Sequence, residues 1–315
     1  MAGNGSADQS EVRRHYYLDQ YVVIAPKRTH ALHHIDYTKS GALKSPPLET
    51  ETAILEIPGA DDEWAVKVVR NLYPAFTPGN KQAFGIQEVV LETNPVDIPF
   101  CRLAVEQLER VFSAFRQRIT ELRKLKDISY VSIFHNEGLE AGASVRQIHS
   151  QIIATGVAPT DLVRQARIFA KFKQRYGQSP LKRAMAWEEE QFARVIHSDR
   201  LITVVAPYAS QFPYEAWLVP KRAILSICDL KPKELNILAK TLKAITQALE
   251  SEQMTYNFLL YEDVRGYDNH FYIKIVPRPN VWAGFELNTG IAINPVAPEE
   301  AARWYRQFIK EHNAL

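Results

Sequence analysis

Two stretches of this chain run through one order of elements: strand, long helix, strand, loop, strand. The first pass extends from about Trp64 to Ile153 and the second from about Leu201 to Val276. In the first, Trp64 to Val69 alternates as a strand does and Gly85 to Glu92 reads as another. Leu103, Leu108, Val111, Phe112, Phe115, Ile119 and Leu122 then recur at helical spacing, and Tyr130 to Phe134 is a strand entering a glycine-containing loop. In the second, Leu201 to Ala206 and Glu215 to Val219 read as strands. Pro232 opens a helix striped by Leu235, Leu238, Leu242, Ile245 and Leu249, and Phe258 to Tyr261 and Phe271 to Val276 follow as strands. Such repetition predicts a duplicated α+β unit. Outside it, Tyr21 to Pro26 reads as a short strand, 38–50 as a loop, and Pro298 to His312 as a closing helix. The division expected is a flexible 1–10, a half over 11–195 and a half over 196–315.

The two passes differ in chemistry. The first ends in Gln147-Ile148-His149-Ser150-Gln151, where the second has Tyr272-Ile273-Lys274. Before His149, the loop after Phe134 contains Gly138, Gly142, Ala143 and Ser144. Small residues let backbone amides approach an anion, and Ser144 adds a hydroxyl donor. Period-two geometry places Gln147, His149 and Gln151 on one strand face. A neutral imidazole beside a phosphate-ready loop is a candidate nucleophile. A lone strand histidine in the core and a loop that is only a turn are the plainer alternatives.

Bulk composition narrows the partners. The chain has 315 residues, 38 basic and 36 acidic, for a net charge of +2. That balance produces no broad cationic field, so nucleic acid is not the expected partner. No apolar run is long enough to span a membrane, and the first ten residues carry neither a basic start nor an apolar stretch. Cys101 and Cys228 stand far apart without a CxxC pair. They read as reduced core thiols of a cytoplasmic protein.

The window Asn136-Glu137-Gly138, Gly142-Ala143-Ser144, His149-Ser150-Gln151 resembles the active-site segment of the galactose-1-phosphate uridylyltransferase family, a branch of the histidine-triad superfamily. The form with Ala-Gly-Ala-Ser, as at Ala141 to Ser144, is similar to ADP-glucose phosphorylase-like members. Residues 11–14 and 21–28, 64–76, 213–221, 284–287 and 293–296 resemble further family segments in order, so the likeness spans roughly 11–310. It implies two histidine-triad-like halves, an antiparallel sheet flanked by helices, and a homodimer. It also implies a two-step nucleotidyl transfer. His149 takes the nucleoside monophosphate from a UDP- or ADP-hexose and passes it to a hexose 1-phosphate or phosphate. By the same likeness Gln151 assists. Arg28, Asn71, Leu72, Asn136, Gly142, Ala143 and Ser144 contact nucleotide or phosphate, and Phe285 and Glu286 contact sugar.

Several positions depart from the family pattern. The loop expected to hold a zinc-binding CxxC pair reads Ser40 to Pro47 without cysteine, and the two zinc histidines fall at Val96 and Gln147. A second metal site would need histidines where Tyr272 and Lys274 stand. Zinc requires thiolate or imidazole donors, so no metal cofactor is expected. A family glutamine for the hexose phosphate falls at about Ala292 and a second arginine at Ala31, which weakens the case for galactose 1-phosphate as acceptor. His30, His33 and His34 read as a solvated loop, with metal binding or a low-pH positive charge as the alternatives. A nucleotide-binding relative without turnover stands against the enzyme reading. Gln151 favours transfer over hydrolysis, because an amide cannot shuttle protons as a histidine there would.

Overall fold

The computed structural model describes residues 10–26, 52–59, 63–96, 98–143, 147–279 and 281–315. Two short strands open the chain, β1 (Glu11–Arg14) and β2 (Tyr21–Ile24). Then come β3 (Ala53–Pro58), β4 (Trp64–Arg70), β5 (Gly85–Leu91), the helix α1 (Val105–Arg123), β6 (Tyr130–Glu137) and β7 (His149–Thr155). Helices α2 (Thr160–Tyr176) and α3 (Pro180–Gln191) lead to β8 (Val195–Ser198), β9 (Ile202–Val205) and β10 (Ala216–Pro220). Helix α4 (Pro232–Ser251) precedes β11 (Tyr256–Tyr261) and β12 (Tyr272–Pro277). The short α5 (Gly284–Thr289), β13 (Ala292–Asn294) and α6 (Pro298–His312) close the chain.

Ten strands form one sheet in the order β3-β4-β5-β7-β6-β11-β12-β10-β9-β8. Counted inward from each edge, both halves place their strands in the order first, second, third, fifth, fourth. They meet where β6 pairs antiparallel with β11, Phe258 opposite His135. The sheet therefore runs unbroken across the expected division at 195/196. The α+β class with antiparallel strands and flanking helices is what the chain adopts.

Both long helices cover one face of the sheet. Leu108, Phe112, Phe115 and Ile119 of α1 meet Val66, Val68, Val90, Ile133, Ile152 and Ala154 from the strands, and Leu238, Leu242 and Ile245 of α4 extend the same core. Each such side chain contributes about 1.5–3 kcal/mol on burial. The start of α4 is fixed by Pro232 in its first turn and by the Glu234 carboxylate accepting the Lys231 N–H at 2.7 Å.

A second sheet, β1-β2-β13, joins the two ends of the chain. Here β13 runs parallel to β2, with Ala292 opposite Val22. Arg13 on β1 reaches Glu299 on α6 at 3.0 Å, and Glu299 also takes Arg194 at 2.7 Å. Residues 160–191, which sequence periodicity left unassigned, form α2 and α3. Among the described residues no helix is long and apolar enough to cross a membrane.

Candidate active site

The site begins with the alternation of β7. Ile152 and Ala154 enter the core under α1, so His149 and Gln151 occupy the opposite face. The His149 ring is only 5% exposed, and its Nδ1 lies 2.9 Å from the carbonyl oxygen of Gln147. A carbonyl can only accept, so Nδ1 carries the proton and Nε2 keeps its lone pair. Burial is the main force lowering the His149 pKa below its ordinary value. The Gln147 carbonyl pulls the other way and the charge on His135 adds to the lowering. At neutral pH the ring is uncharged.

Gln147 does not share that face. It precedes β7, and its amide donates to the carbonyls of Thr93 at 3.0 Å and Asn94 at 3.3 Å. The carbonyl of its neighbour Ile148 accepts the Glu92 N–H at 3.3 Å, and the strand register that follows sets His149 opposite Leu91. The Gln147 amide thus latches the loop after β5 to the start of the strand that carries His149.

The loop between β6 and β7 folds back beside Asn136. Gly138 has φ +86°, and a Cβ there would lie 2.2 Å from Thr255 Cγ2. Gly142 has φ +89°, with Asn136 Nδ2 as the near neighbour of its missing Cβ at 3.7 Å. Asn257 donates to both Asn136 Oδ1 (2.8 Å) and the Ala141 carbonyl (2.7 Å), and the Ala143 N–H reaches the Gly138 carbonyl at 3.0 Å. His135 pairs with Ser150 across β6 and β7, so the next position in register brings Asn136 beside His149. Asn136 and the described part of the loop, through Ala143, therefore lie together at the end of the strand that neighbours the one carrying His149. Ser144 lies outside the described residues.

On the helix side of the same strands is a buried polar cluster that sequence reading missed. His135 Nδ1 lies 3.2 Å from Glu92 Oε2 and His135 Nε2 lies 3.0 Å from Glu137 Oε2. Ser150 donates to Glu92 Oε1 at 2.6 Å. The His135 ring stacks on Phe258, centroids 4.7 Å apart and planes 3° from parallel. Burial works against charge on His135, yet Glu92 and Glu137 outweigh it and raise its pKa to about 9.

The open face continues sideways into a cavity of about 440 Å³. Residues directly opposite one another form a row across five strands: Gln151, Phe134, Leu259, Lys274 and Trp217. The last four line the cavity, together with Tyr261 and Tyr272. Lys274 pairs with Glu215 at 3.0 Å, and Glu215 also accepts from Trp217 Nε1 at 2.8 Å. Sequence reading took Tyr272 and Lys274 as the second-half counterparts of the His149 strand, in a half that is structural or completes the substrate site, and as histidines missing from a metal site. Their cross-strand neighbours, not their order in the chain, make them cavity walls.

Of the other expected contacts, Asn71 caps the turn after β4, its side chain accepting the Tyr73 N–H at 2.8 Å, and Leu72 is exposed beside it. Phe285 and Glu286 lie on α5, next in the chain to the second sheet. Phe285 is exposed, while Glu286 is buried and accepts the Ala283 N–H at 3.1 Å. Ala292 is fully buried against β2. Arg28, Ala31, His30, His33, His34 and the loop 40–47 fall outside the described residues.

Among the described residues, the positions where zinc ligands would fall have other partners or no ligand atom. Gln147 spends its amide on two carbonyls, Val96 has no donor atom, and the Lys274 ammonium is committed to Glu215. Among the described residues no group of three or more His, Cys, Asp or Glu side chains is placed to hold a metal ion.

No family model matches the chain. Among characterised proteins it is 28% identical over 284 residues to ADP-glucose phosphorylase of Arabidopsis thaliana, covering 82% of this chain and 79% of that one. It is 27% identical over 293 residues to galactose-1-phosphate uridylyltransferase of Thermotoga maritima, covering 83% and 90%. A GalT-like protein from Arabidopsis thaliana superposes with a TM-score of 0.81 at 25% identity, covering 95% of this chain and 99% of that one. An ADP-glucose phosphorylase from Arabidopsis thaliana with bound ADP-glucose superposes with a TM-score of 0.80 over the same shares. At 24% identity that match speaks for the fold alone.

Proposed function

Since this chain is a relative of galactose-1-phosphate uridylyltransferase and ADP-glucose phosphorylase, we propose that it is a nucleotidyltransferase acting on a nucleotide sugar through a covalent bond to His149. The observation that carries this reading is the 2.9 Å contact between His149 Nδ1 and the Gln147 carbonyl. It leaves Nε2 as the attacking atom on a ring that burial keeps neutral.

In the first step Nε2 bonds to the α-phosphorus of a UDP- or ADP-hexose. The bond from that phosphorus to the bridging oxygen breaks, and hexose 1-phosphate leaves with the electron pair. The imidazole is then a phosphorylated cation whose Nδ1–H still donates to the Gln147 carbonyl, which stabilises the charge. In the second step an oxygen of phosphate or of a hexose 1-phosphate attacks the same phosphorus. The P–N bond breaks and returns its pair to Nε2. No proton need move at either step, which suits Gln151, an amide on the same face that donates to phosphoryl oxygens without titrating. Asn136, Gly142 and Ala143 are assigned to the phosphate, and Arg28, Asn71, Leu72 and Ser144 to the nucleotide. Phe285 and Glu286 are assigned to sugar, and the chain to a homodimer.

The experiment is intact-mass measurement after mixing the protein with UDP-glucose or ADP-glucose. A mass gain of one nucleoside monophosphate, mapped to His149 and discharged by phosphate or galactose 1-phosphate, supports the reading. Tight binding of either nucleotide sugar with neither adduct nor turnover would instead identify a binding protein.

A further inference from the structure

We propose that His135, held as an imidazolium between Glu92 and Glu137, is a positioning residue for the nucleophile, fixing the strand segment that carries His149 and supplying a positive charge beneath it. The inference rests on the reading of His149 as the nucleophile.

Geometry alone demands the charge. Both ring nitrogens of His135 face carboxylate oxygens, at 3.2 and 3.0 Å. Ionised carboxylates accept only, so each nitrogen must donate, and a histidine that donates twice is protonated. The ring is sealed by Phe258 against one face and by Phe100 at 4.9 Å, with Tyr256, a buried neutral phenol, at 6.3 Å. The cation cannot hydrate, and neither can Glu92, which is fully buried. Removing the ring would leave the Glu92 carboxylate buried with only the Ser150 hydroxyl to support it.

The cluster alternates with the site along three strands. Glu92 follows Leu91, the residue opposite His149. His135 and Glu137 flank Asn136. Ser150 follows His149 and binds Glu92 at 2.6 Å. The Glu92 N–H also donates to the Ile148 carbonyl at 3.3 Å, and the Gln107 amide holds the Glu92 carbonyl at 2.7 Å. One face of each strand thus carries the ion cluster and the other carries the chemistry. The groups whose charge bears on His149 are His135, Glu92 and Glu137. With the cation present the cluster carries net charge −1; without it, −2. Loss of the cation therefore favours protonation of His149 and removes its lone pair.

The test is 15N NMR of ring nitrogens in histidine-labelled full-length protein, followed against pH, with resonances assigned by their loss in His135→Lys and His149→Asn. In the unaltered protein both His135 nitrogens are expected to be protonated at pH 7 while His149 is neutral. In His135→Leu the His149 midpoint should rise by about half a pH unit or more. The rate of adduct formation at pH 6.5 should fall about tenfold. In His135→Lys the cation is retained, so the His149 midpoint should stay put and most of the rate should return. A neutral His135 at pH 7 in the unaltered protein overturns the proposal, and so does an unmoved His149 midpoint in folded His135→Leu. If His135→Leu does not fold, the titration of the unaltered protein and of His135→Lys still decides. Ring titration needs no turnover, so failure of the positioning role is separable from failure of the nucleotidyl-transfer reading.

Discussion

His149 Nδ1 sits 2.9 Å from the carbonyl of Gln147, two residues earlier in the chain. That contact fixes the tautomer and leaves Nε2 with the free lone pair, the nitrogen that the proposed transfer uses. Replacing His149 with Asn, which retains polarity but not nucleophilicity, is expected to abolish the adduct and reduce turnover at least about a thousandfold. The ring is nearly buried, so some loss of stability, about 1–2 kcal/mol, is also expected. Intact mass and a thermal melt read the two effects separately. Normal turnover by this variant would remove the covalent mechanism.

The pH dependence follows from the direction of the His149 shift. Burial lowers its pKa below 6.5, and the neutral form is the nucleophile. An unperturbed imidazole would be half protonated at pH 6.5 and its rate halved. Here the single-turnover rate of adduct formation should remain flat from pH 8 down to 6.5 and fall only at lower pH. A midpoint at or above 6.5 would contradict the environment described for the ring.

Stability should depend on pH in the opposite quarter. The pKa of His135 is raised from 6.5 to about 9 in the folded chain. Its contribution is therefore complete below 6.5 and is lost as pH rises through about 9. Melting temperature should decline over that window in the unaltered protein. In His135→Lys the decline should be shallower, because a lysine there stays charged to higher pH. Equal slopes for the two proteins would mean that His135 does not titrate as described.

Gln147 supplies a test of the metal question. Its amide bonds the Thr93 and Asn94 carbonyls, a link that needs no ion. Purified protein is expected to hold less than one zinc per chain, and a chelator should leave the melting temperature unchanged. Gln147→Leu should cost about 1–3 kcal/mol by leaving buried carbonyls without a donor. Stoichiometric zinc measured by elemental analysis would overturn this account.

The two loop glycines should respond differently to alanine. Both hold positive φ, which strains any side chain. At Gly138, however, the new methyl also meets Thr255 Cγ2 at 2.2 Å, whereas at Gly142 the near neighbour is 3.7 Å away. Gly142→Ala should cost about 1 kcal/mol, and Gly138→Ala should cost more and loosen the loop beside Asn136. Urea unfolding midpoints that rank the variants the other way would contradict the loop conformation.

Periodicity in the sequence was enough to determine the repeated elements, the long helices α1 and α4 with their buried stripes, the strand bearing His149 and the small-residue loop before it. These are local signals: apolar spacing of 3.6 or 2, a proline in a first turn, glycine where φ is positive. Motif order added the resemblance to galactose-1-phosphate uridylyltransferases, because the spacing of Asn136, Gly142 and His149 is read without any coordinates. Tertiary structure alone decided the rest. Glu92 and His135 lie 43 positions apart, and only strand register places one beneath the other. The row from Gln151 to Trp217 crosses five strands drawn from both halves, and nothing in the order of those residues shows that they are neighbours. Gln147 reads as a member of the strand face until its amide is seen bound to the Thr93 and Asn94 carbonyls, and the burial of Ala292 shows only in the folded chain. Cross-strand register is set by which apolar faces pack together over the whole sheet, so it is a property of the folded chain rather than of any segment.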